Sequence, residues 1–295
     1  AVLSAMRESS GHHISVKGGR FLEAVAAANT IVFDKTGTLT YATPTVAQVV
    51  PFGGREESEM LRLAACLEEH YPHSIANAVV EEAKRRGLSH EEYHSQVQYV
   101  VAHGISSMVE GKKAIIGSAH FVFEDEGCRI PDGEEEKFRA LPAEYSHLYL
   151  CIAGELAAVI CIHDPLRREA KAAVRALHDC GIDKVVMMTG DSRRTAEAVA
   201  AEVGVDEVFA EVLPEDKAAY IRSEKAAGRK VIMIGDGVND SPALSEADAG
   251  IAIATGAAIA REIADITISS EDLFELVTLR RLSEALMDRI HRNYR

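Results

Sequence analysis

Four short segments of the chain carry residue types that handle phosphate. The first is Asp34-Lys35-Thr36-Gly37-Thr38-Leu39-Thr40, directly after the apolar run Ile31-Val32-Phe33. A carboxylate at a strand tip, followed by a glycine-containing loop, can attack phosphorus while backbone N–H groups hold the phosphoryl oxygens. A single strand-ending Asp more often caps a turn; the surrounding residues argue against that here. The second segment, Thr189-Gly190-Asp191, follows the apolar run 185–188 and reads as the opening of a helix. Hydroxyl, glycine and helix N-terminus together suit phosphate oxygens, although such a triplet by itself is also a common N-cap. The third is Lys217, in Leu213-Pro214-Glu215-Asp216-Lys217. A cation about 4 Å from phosphate contributes about 4 kcal/mol at an effective dielectric of about 20. The fourth, from Gly235 to Leu244, places Asp236, Asn239 and Asp240 within five residues. That hard-oxygen set suits Mg²⁺, which needs only one or two carboxylates beside phosphate and water. Together the four segments describe a phosphoryl-transfer site.

Elements must bring these segments together. From residue 155 onward, apolar runs at 156–162, 184–189, 230–234 and 249–252 alternate with helical patterns at 167–180, 192–203 and 215–227. That alternation predicts a parallel, doubly wound sheet, which places its chemistry at the carboxyl ends of its strands. A further strand of this kind, 30–34, lies far upstream and ends on Asp34. Between them the texture changes. Helices at 56–70 and 74–86 precede alternating strands at 97–102, 105–110, 113–117 and 147–153, with an acidic, turn-rich stretch at 124–136. This predicts an antiparallel α+β domain, 43–155, inserted into a discontinuous α/β domain, 1–42 and 156–295. The expected hinges are Pro44 and the segment near Gly154. A last helix is expected at 271–289.

Bulk properties agree with a water-exposed globular chain. Of 295 residues, 47% are apolar and 26% charged, and the formal net charge is −14. Such a balance disfavours nucleic acid or an anionic membrane surface as the main partner. Five cysteines, an odd number with no C-x-x-C pair, predict buried thiols rather than a disulfide frame or zinc site. No run approaches the ~18 apolar residues that cross a bilayer. The start at Ala1, without Met or a leader, gives the expectation of an excised fragment.

In order and spacing, the loops, together with Asp164-Pro165-Leu166-Arg167, resemble the P-type ATPases of the haloacid dehalogenase superfamily. The resemblance implies a haloacid dehalogenase-like, Rossmannoid phosphorylation domain with an inserted nucleotide-binding domain. Asp34 would then be the residue phosphorylated by ATP. Mg²⁺ would sit on Asp34, Asp236 and the Thr36 carbonyl. Thr189, Gly190 and Lys217 would hold the phosphoryl group, with Lys35, Asp191, Asn239 and Asp240 completing the site. Phosphatases of the superfamily usually carry a second acid two residues after the nucleophile. Here that position is Thr36, which neither protonates a leaving group nor activates water well at neutral pH. The phosphoenzyme is therefore expected to persist, as a pump requires. No Thr-Gly-Glu-Ser motif of an actuator domain occurs in the chain.

Glu68 and His73 resemble the Glu and His-Pro pair that holds adenine in heavy-metal pumps, with Ser74 where the Pro is expected. Of the accompanying Gly-x-Gly only Gly104 remains, in Ala102-His103-Gly104. His12 and His13 are read as a solvated linker. The expected partners are ATP, a heavy-metal cation in the full-length pump, and that pump's own transmembrane and actuator domains, at the cytoplasmic face of a membrane. Residues 1–6 and 293–295 would adjoin membrane helices. The transported metal is not legible. Two alternatives share these residues, a soluble phosphatase of the same fold and a non-catalytic nucleotide-binding module.

Overall fold

The computed structural model describes residues 13–69, 74–88, 97–101, 104–237, 240–253 and 262–293. The chain divides into two compact units. The first comprises Ala1–Tyr41, Leu166–Thr189 and Val199–Arg295; the second comprises Ala42–Pro165 and Gly190–Ala198.

The first unit is built on a seven-stranded sheet. Its strands, in spatial order, are β1 (Ile14–Val16), β13 (Ile266–Ile268), β12 (Ala249–Ile253), β11 (Val231–Gly235), β2 (Thr30–Asp34), β9 (Lys184–Met188) and β10 (Glu207–Phe209). All neighbours run parallel except the β1–β13 edge pair. Strand alternation divides the core cleanly. Ile31, Phe33, Val185, Met187, Ile232 and Ile234 pack on one face with α1 (Gly19–Ala27), α5 (Ala170–Asp179) and α9 (Phe274–Asn293). Val32, Val186, Met188, Val231 and Met233 pack on the other, with Ile221 of α7 (Pro214–Ala226) and Leu244 of α8 (Ser241–Glu246). Strand β2 lies between β9 and β11, so the chain's connections depart to opposite sides there. This is the topological switch point, where open α/β sheets form their ligand crevice.

The second unit is a six-stranded antiparallel sheet. Its order is β3 (Thr45–Pro51), β8 (Glu155–His163), β7 (Ser146–Ile152), β6 (Lys112–Gly117), β5 (Gly104–Val109) and β4 (Val97–Val101). Helices α2 (Glu57–Glu68) and α3 (Ser74–Arg85) cover one face. The other face carries an aromatic cluster of Phe52, Phe121, Phe123, Phe138 and Tyr149. The acidic stretch is partly helical, with a π-helical turn at His120–Asp125 and a short α4 at Glu135–Arg139. Residues Arg193–Val203 form α6.

Several expectations are corrected. The run 156–162 is not a strand of the parallel sheet: it is β8, paired antiparallel to β3 and β7. Ile160 and Ile162 face the helices while Val159 and Cys161 face the aromatic cluster. Cover on both faces makes the run continuously apolar, as a parallel strand would be. Gly154 is not a hinge but the tip of the β7–β8 hairpin, with positive φ at Ala153 (52°) and Gly154 (83°), as a type I′ turn requires. The last helix begins at Phe274 and ends at Asn293. The cysteines are free, four of them buried. Among the described residues no helix is long and apolar enough to cross a membrane.

A polar network holds α7 against β9 and β10. Lys184 donates to Glu224 and pairs with Glu207 at 2.8 Å, while Tyr220 Oη donates to Glu224 Oε1 at 2.6 Å. Burial pushes the Glu224 carboxyl up, but bonds from Lys184 and Tyr220 outweigh it and hold the group below its ordinary 4.5. A depressed acid stabilises the fold above its unfolded pKa, and that contribution is lost as pH falls through the folded value. Glu224→Gln should therefore cost about 1–3 kcal/mol at pH 7 and flatten the loss of stability on acidification below pH 4.5. Urea unfolding across pH 3 to 7 reads both; an unchanged acid limb would show that Glu224 is not held by this network.

Candidate active site

The nucleophile candidate sits where the switch point predicts. Asp34 is the last residue of β2, aligned with Met188 of β9, and Phe33 is aligned with Ile234 of β11. The next residue on each neighbouring strand is Thr189 or the pair Gly235-Asp236. Thr189 is buried and fixed by its backbone: its N–H donates to the Phe209 carbonyl at 3.0 Å, and its carbonyl accepts from Val212 N–H at 3.0 Å.

The loop after Asp34 is a tight turn. Lys35 N–H donates to the Met188 carbonyl at 2.9 Å, and Thr38 and Leu39 N–H groups return to the Lys35 carbonyl. The Thr38 hydroxyl donates to the Asp34 carbonyl, and Gly37 N–H donates to the Thr40 hydroxyl at 2.9 Å. Gly37 has φ 82°, a conformation that disfavours a side chain. Lys35, Thr38 and Thr40 are buried, whereas Thr36 is half-buried.

Lys217 reaches Asp34 directly, with Nζ donating to Oδ2 at 3.0 Å; its side chain is 9% exposed and that of Asp34 14%. The start of α7 sets this aim. Pro214 occupies the first turn and the Asp216 carboxylate accepts from Leu213 N–H at 3.1 Å, half of a capping box with proline at the position helices favour. Lys217 follows in the same turn.

Asp240 stands at the N-cap position of α8, its side chain making no capping bond, and is fully buried. Its Oδ1 accepts from Gly237 N–H at 3.0 Å, while Oδ2 is buried without a hydrogen-bond donor among the described residues. Burial, reinforced by the negative charge of Asp34 and Asp236 and partly offset by Lys217, pushes the Asp240 carboxyl up to about 7. The close approach explains Gly235: a Cβ there would lie 2.0 Å from Asp240 Oδ2. Asp240 thus lies in the field of two further carboxylates, Asp34 and Asp236, and of the Lys217 ammonium group. Among the described residues no three His, Cys, Asp or Glu side chains form a ready metal cage; Mg²⁺ characteristically takes one or two carboxylates and completes its shell with phosphate and water.

Gly190 and Asp191 follow Thr189 in the chain but group with the second unit. They do not open a helix: α6 begins at Arg193, and the Ser192 hydroxyl accepts from Thr195 N–H at 3.4 Å. Glu68 is buried at the end of α2. Gly104 begins β5, where a Cβ would lie 2.1 Å from the Phe121 ring, so packing alone demands glycine there. His73, Asn239, Ala102, His103, His12 and residues 1–6 and 294–295 lie outside the described residues.

One participant had no chemical role in the sequence. Arg167 is buried beneath the Asp34 loop, bonded to its carbonyls. Its position in Asp164-Pro165-Leu166-Arg167, just after the chain returns to the first unit, was the available signal.

The profile of the haloacid dehalogenase-like hydrolases matches residues 28–248. Copper-transporting ATPase 1 of Rhizobium meliloti (strain 1021) is 40% identical over 280 residues, covering 95% of this chain and 34% of the relative. The copper-exporting P-type ATPase of Bacillus subtilis (strain 168) is 37% identical over 301 residues, covering 99% and 36% respectively. The chain thus spans about a third of the length of these curated relatives. Among solved structures, the catalytic domain of the CPx-ATPase CopB-B superposes with a TM-score of 0.76 at 29% identity, covering 95% of this chain and 99% of that one. A zinc-transporting PIB-type ATPase gives a TM-score of 0.62 at 31% identity, covering 99% of this chain and 47% of that one.

Removing the lysine exposes the carboxylates to one another. Without Mg²⁺, Lys217→Met should destabilise the protein by about 1–3 kcal/mol. Adding Asp34→Asn to that variant should restore part of the loss, because one of the repelling charges is gone. Denaturant unfolding of the four proteins in the cycle measures this; strictly additive effects would mean that the two side chains do not interact.

Proposed function

Because the chain belongs to the haloacid dehalogenase-like hydrolases, we propose that it is the ATP-binding, autophosphorylating part of a heavy-metal-transporting P-type ATPase. The observation that carries this reading is the Lys217–Asp34 contact at the switch point, with Asp240 and Asp236 beside it and Thr36 where a phosphatase would place an acid.

In the proposed reaction an Asp34 carboxylate oxygen attacks the γ-phosphorus of ATP in line. The bond to the bridging oxygen breaks, ADP leaves, and an aspartyl phosphate remains. Lys217 lies where it neutralises charge on the phosphoryl oxygens, and Thr189 borders the same strand edge. Catalysis of this kind is chiefly positioning and electrostatics. Asp34, Asp236 and the Thr36 carbonyl are the residues that would hold Mg²⁺, and the like charge that Asp34 and Asp236 impose on Asp240 supports that assignment. When bound, the ion supplies the charge that lets phosphate approach an acidic site. Thr36 offers no acid–base group to speed hydrolysis, so the phosphoenzyme persists until water is activated from elsewhere.

Nucleotide binding is assigned to the antiparallel unit, 43–155 in the sequence reading, with Glu68, His73 and Gly104 at the adenine. Phosphorylation is assigned to the parallel-sheet unit, where Asn239, Asp191, Gly190 and Lys35 would support the reaction. In the full-length pump the two would stand at the cytoplasmic face of the membrane, coupled to transmembrane and actuator domains. Relatives are named as copper transporters, which makes copper the first cargo to test.

Labelled ATP with Mg²⁺ should give an acid-stable, hydroxylamine-labile phosphoenzyme that is absent in Asp34→Asn. Small phosphate esters should turn over poorly. Rapid turnover of such esters without accumulation of phosphoenzyme would replace the pump reading with that of a soluble phosphatase.

A further inference from the structure

We propose that Arg167 is a positioning residue for phosphoryl transfer, its guanidinium holding the Asp34 loop in register with the start of the C-terminal helix. The inference rests on the reading of Asp34 as the phosphorylated residue and adds to it a side chain that touches neither substrate nor nucleophile.

Arg167 is 3% exposed. Its Nε donates to the Thr38 carbonyl at 2.7 Å, and Nη2 to the Gly37 carbonyl at 3.5 Å. Nη1 donates to the Glu271 carbonyl, three residues before α9. Its backbone N–H donates to the Leu39 carbonyl at 2.8 Å. The guanidinium carbon stands 5.5 Å from the centre of the Tyr41 ring, and the Tyr41 hydroxyl accepts from Arg168 N–H at 3.0 Å. A bridge between Thr40 and Leu166 completes the tie. One side chain and its flanking backbone thus bind the outgoing half of the loop, residues 37–41, at several points.

The placement is costly unless geometry is what it secures. Among the described residues Arg167 has no carboxylate partner; carbonyl dipoles and a ring face meet its charge. A buried cation is weak evidence for stability, since well-packed apolar residues often serve a core as well or better. A planar fork of fixed donors nevertheless does what no apolar residue can, which is to fix the relative positions of separate backbone segments. The loop it fixes begins at Asp34 and contains Thr36. A misplacement of about 1 Å at a reacting group costs on the order of 100-fold in rate.

The test compares Arg167→Met and Arg167→Lys with the unmodified chain by three readouts. These are amide hydrogen exchange in residues 35–39, the rate of phosphoenzyme formation from saturating Mg-ATP, and affinity for a non-hydrolysable ATP analogue. Arg167→Met should lose loop protection by about tenfold or more and phosphorylate about 100-fold more slowly, with analogue affinity within about twofold, the signature of lost positioning rather than lost binding. Arg167→Lys keeps the charge and stem but not the fork. It should fold as the unmodified chain does and still phosphorylate about tenfold more slowly, so it decides the matter if the Met variant fails to fold. Wild-type loop protection and rate in a folded variant would overturn the proposal while leaving the role of Asp34 intact. Absence of any phosphoenzyme in the unmodified chain would overturn the role of Asp34 and that of Arg167 with it.

Discussion

Like charges crowded at the carboxyl ends of the central parallel strands are the constraint on which the rest of the site depends. Asp34 and Asp236 both act on the buried Asp240 at the switch point, and Lys217 reaches Asp34 from α7. Such a cluster resists ionising completely: the buried Asp240 is pushed up to about 7, in the direction that desolvation and like charge dictate. The surrounding architecture holds this unfavourable arrangement. The Lys184–Glu224–Tyr220 network fixes the helix that presents Lys217, Gly235 makes room for Asp240, and the turn after Asp34 is bound back to β9 and to Arg167. Preorganised charge of this kind suits the phosphoryl transfer proposed for the site.

The parallel sheet was legible because its strands are buried on both faces and separated by helices of ordinary length. Residues 30–34, 184–188 and 231–235 announce themselves as apolar runs, the first ending on Asp34 and the others directly followed by Thr189 and Asp236. The three-residue strands β1, β10 and β13 are too short to carry a period, and their pairing comes from neighbours rather than from local pattern. The run at 156–162 misled because periodicity reports burial, not the direction of the partner strand; an antiparallel strand covered by helices on one side and aromatic rings on the other reads the same way. Gly154 misled for a related reason, since glycine marks a turn without saying whether it joins two strands or two units.

The candidate site was legible to the extent that its residues cluster in sequence. Asp34, Asp236 and Asp240 stand in dense motifs, and Lys217 in a clear helix start. Arg167 was not, because its contacts are to carbonyl groups more than a hundred residues away, and no spacing rule encodes those. In the antiparallel unit Gly104 illustrates the opposite hazard. Its motif suggested a nucleotide, yet the nearby Phe121 ring already requires glycine there, so the residue type alone does not separate the two explanations.

The most direct measurement is chemical mapping of the phosphorylated side chain. After brief reaction with Mg-ATP and acid quench, borohydride reduction converts an aspartyl phosphate to homoserine, which peptide mass spectrometry locates. Homoserine at position 34, and nowhere else, is the predicted result. An intact aspartate at 34 with the label on another residue, or no conversion at all, would contradict the account.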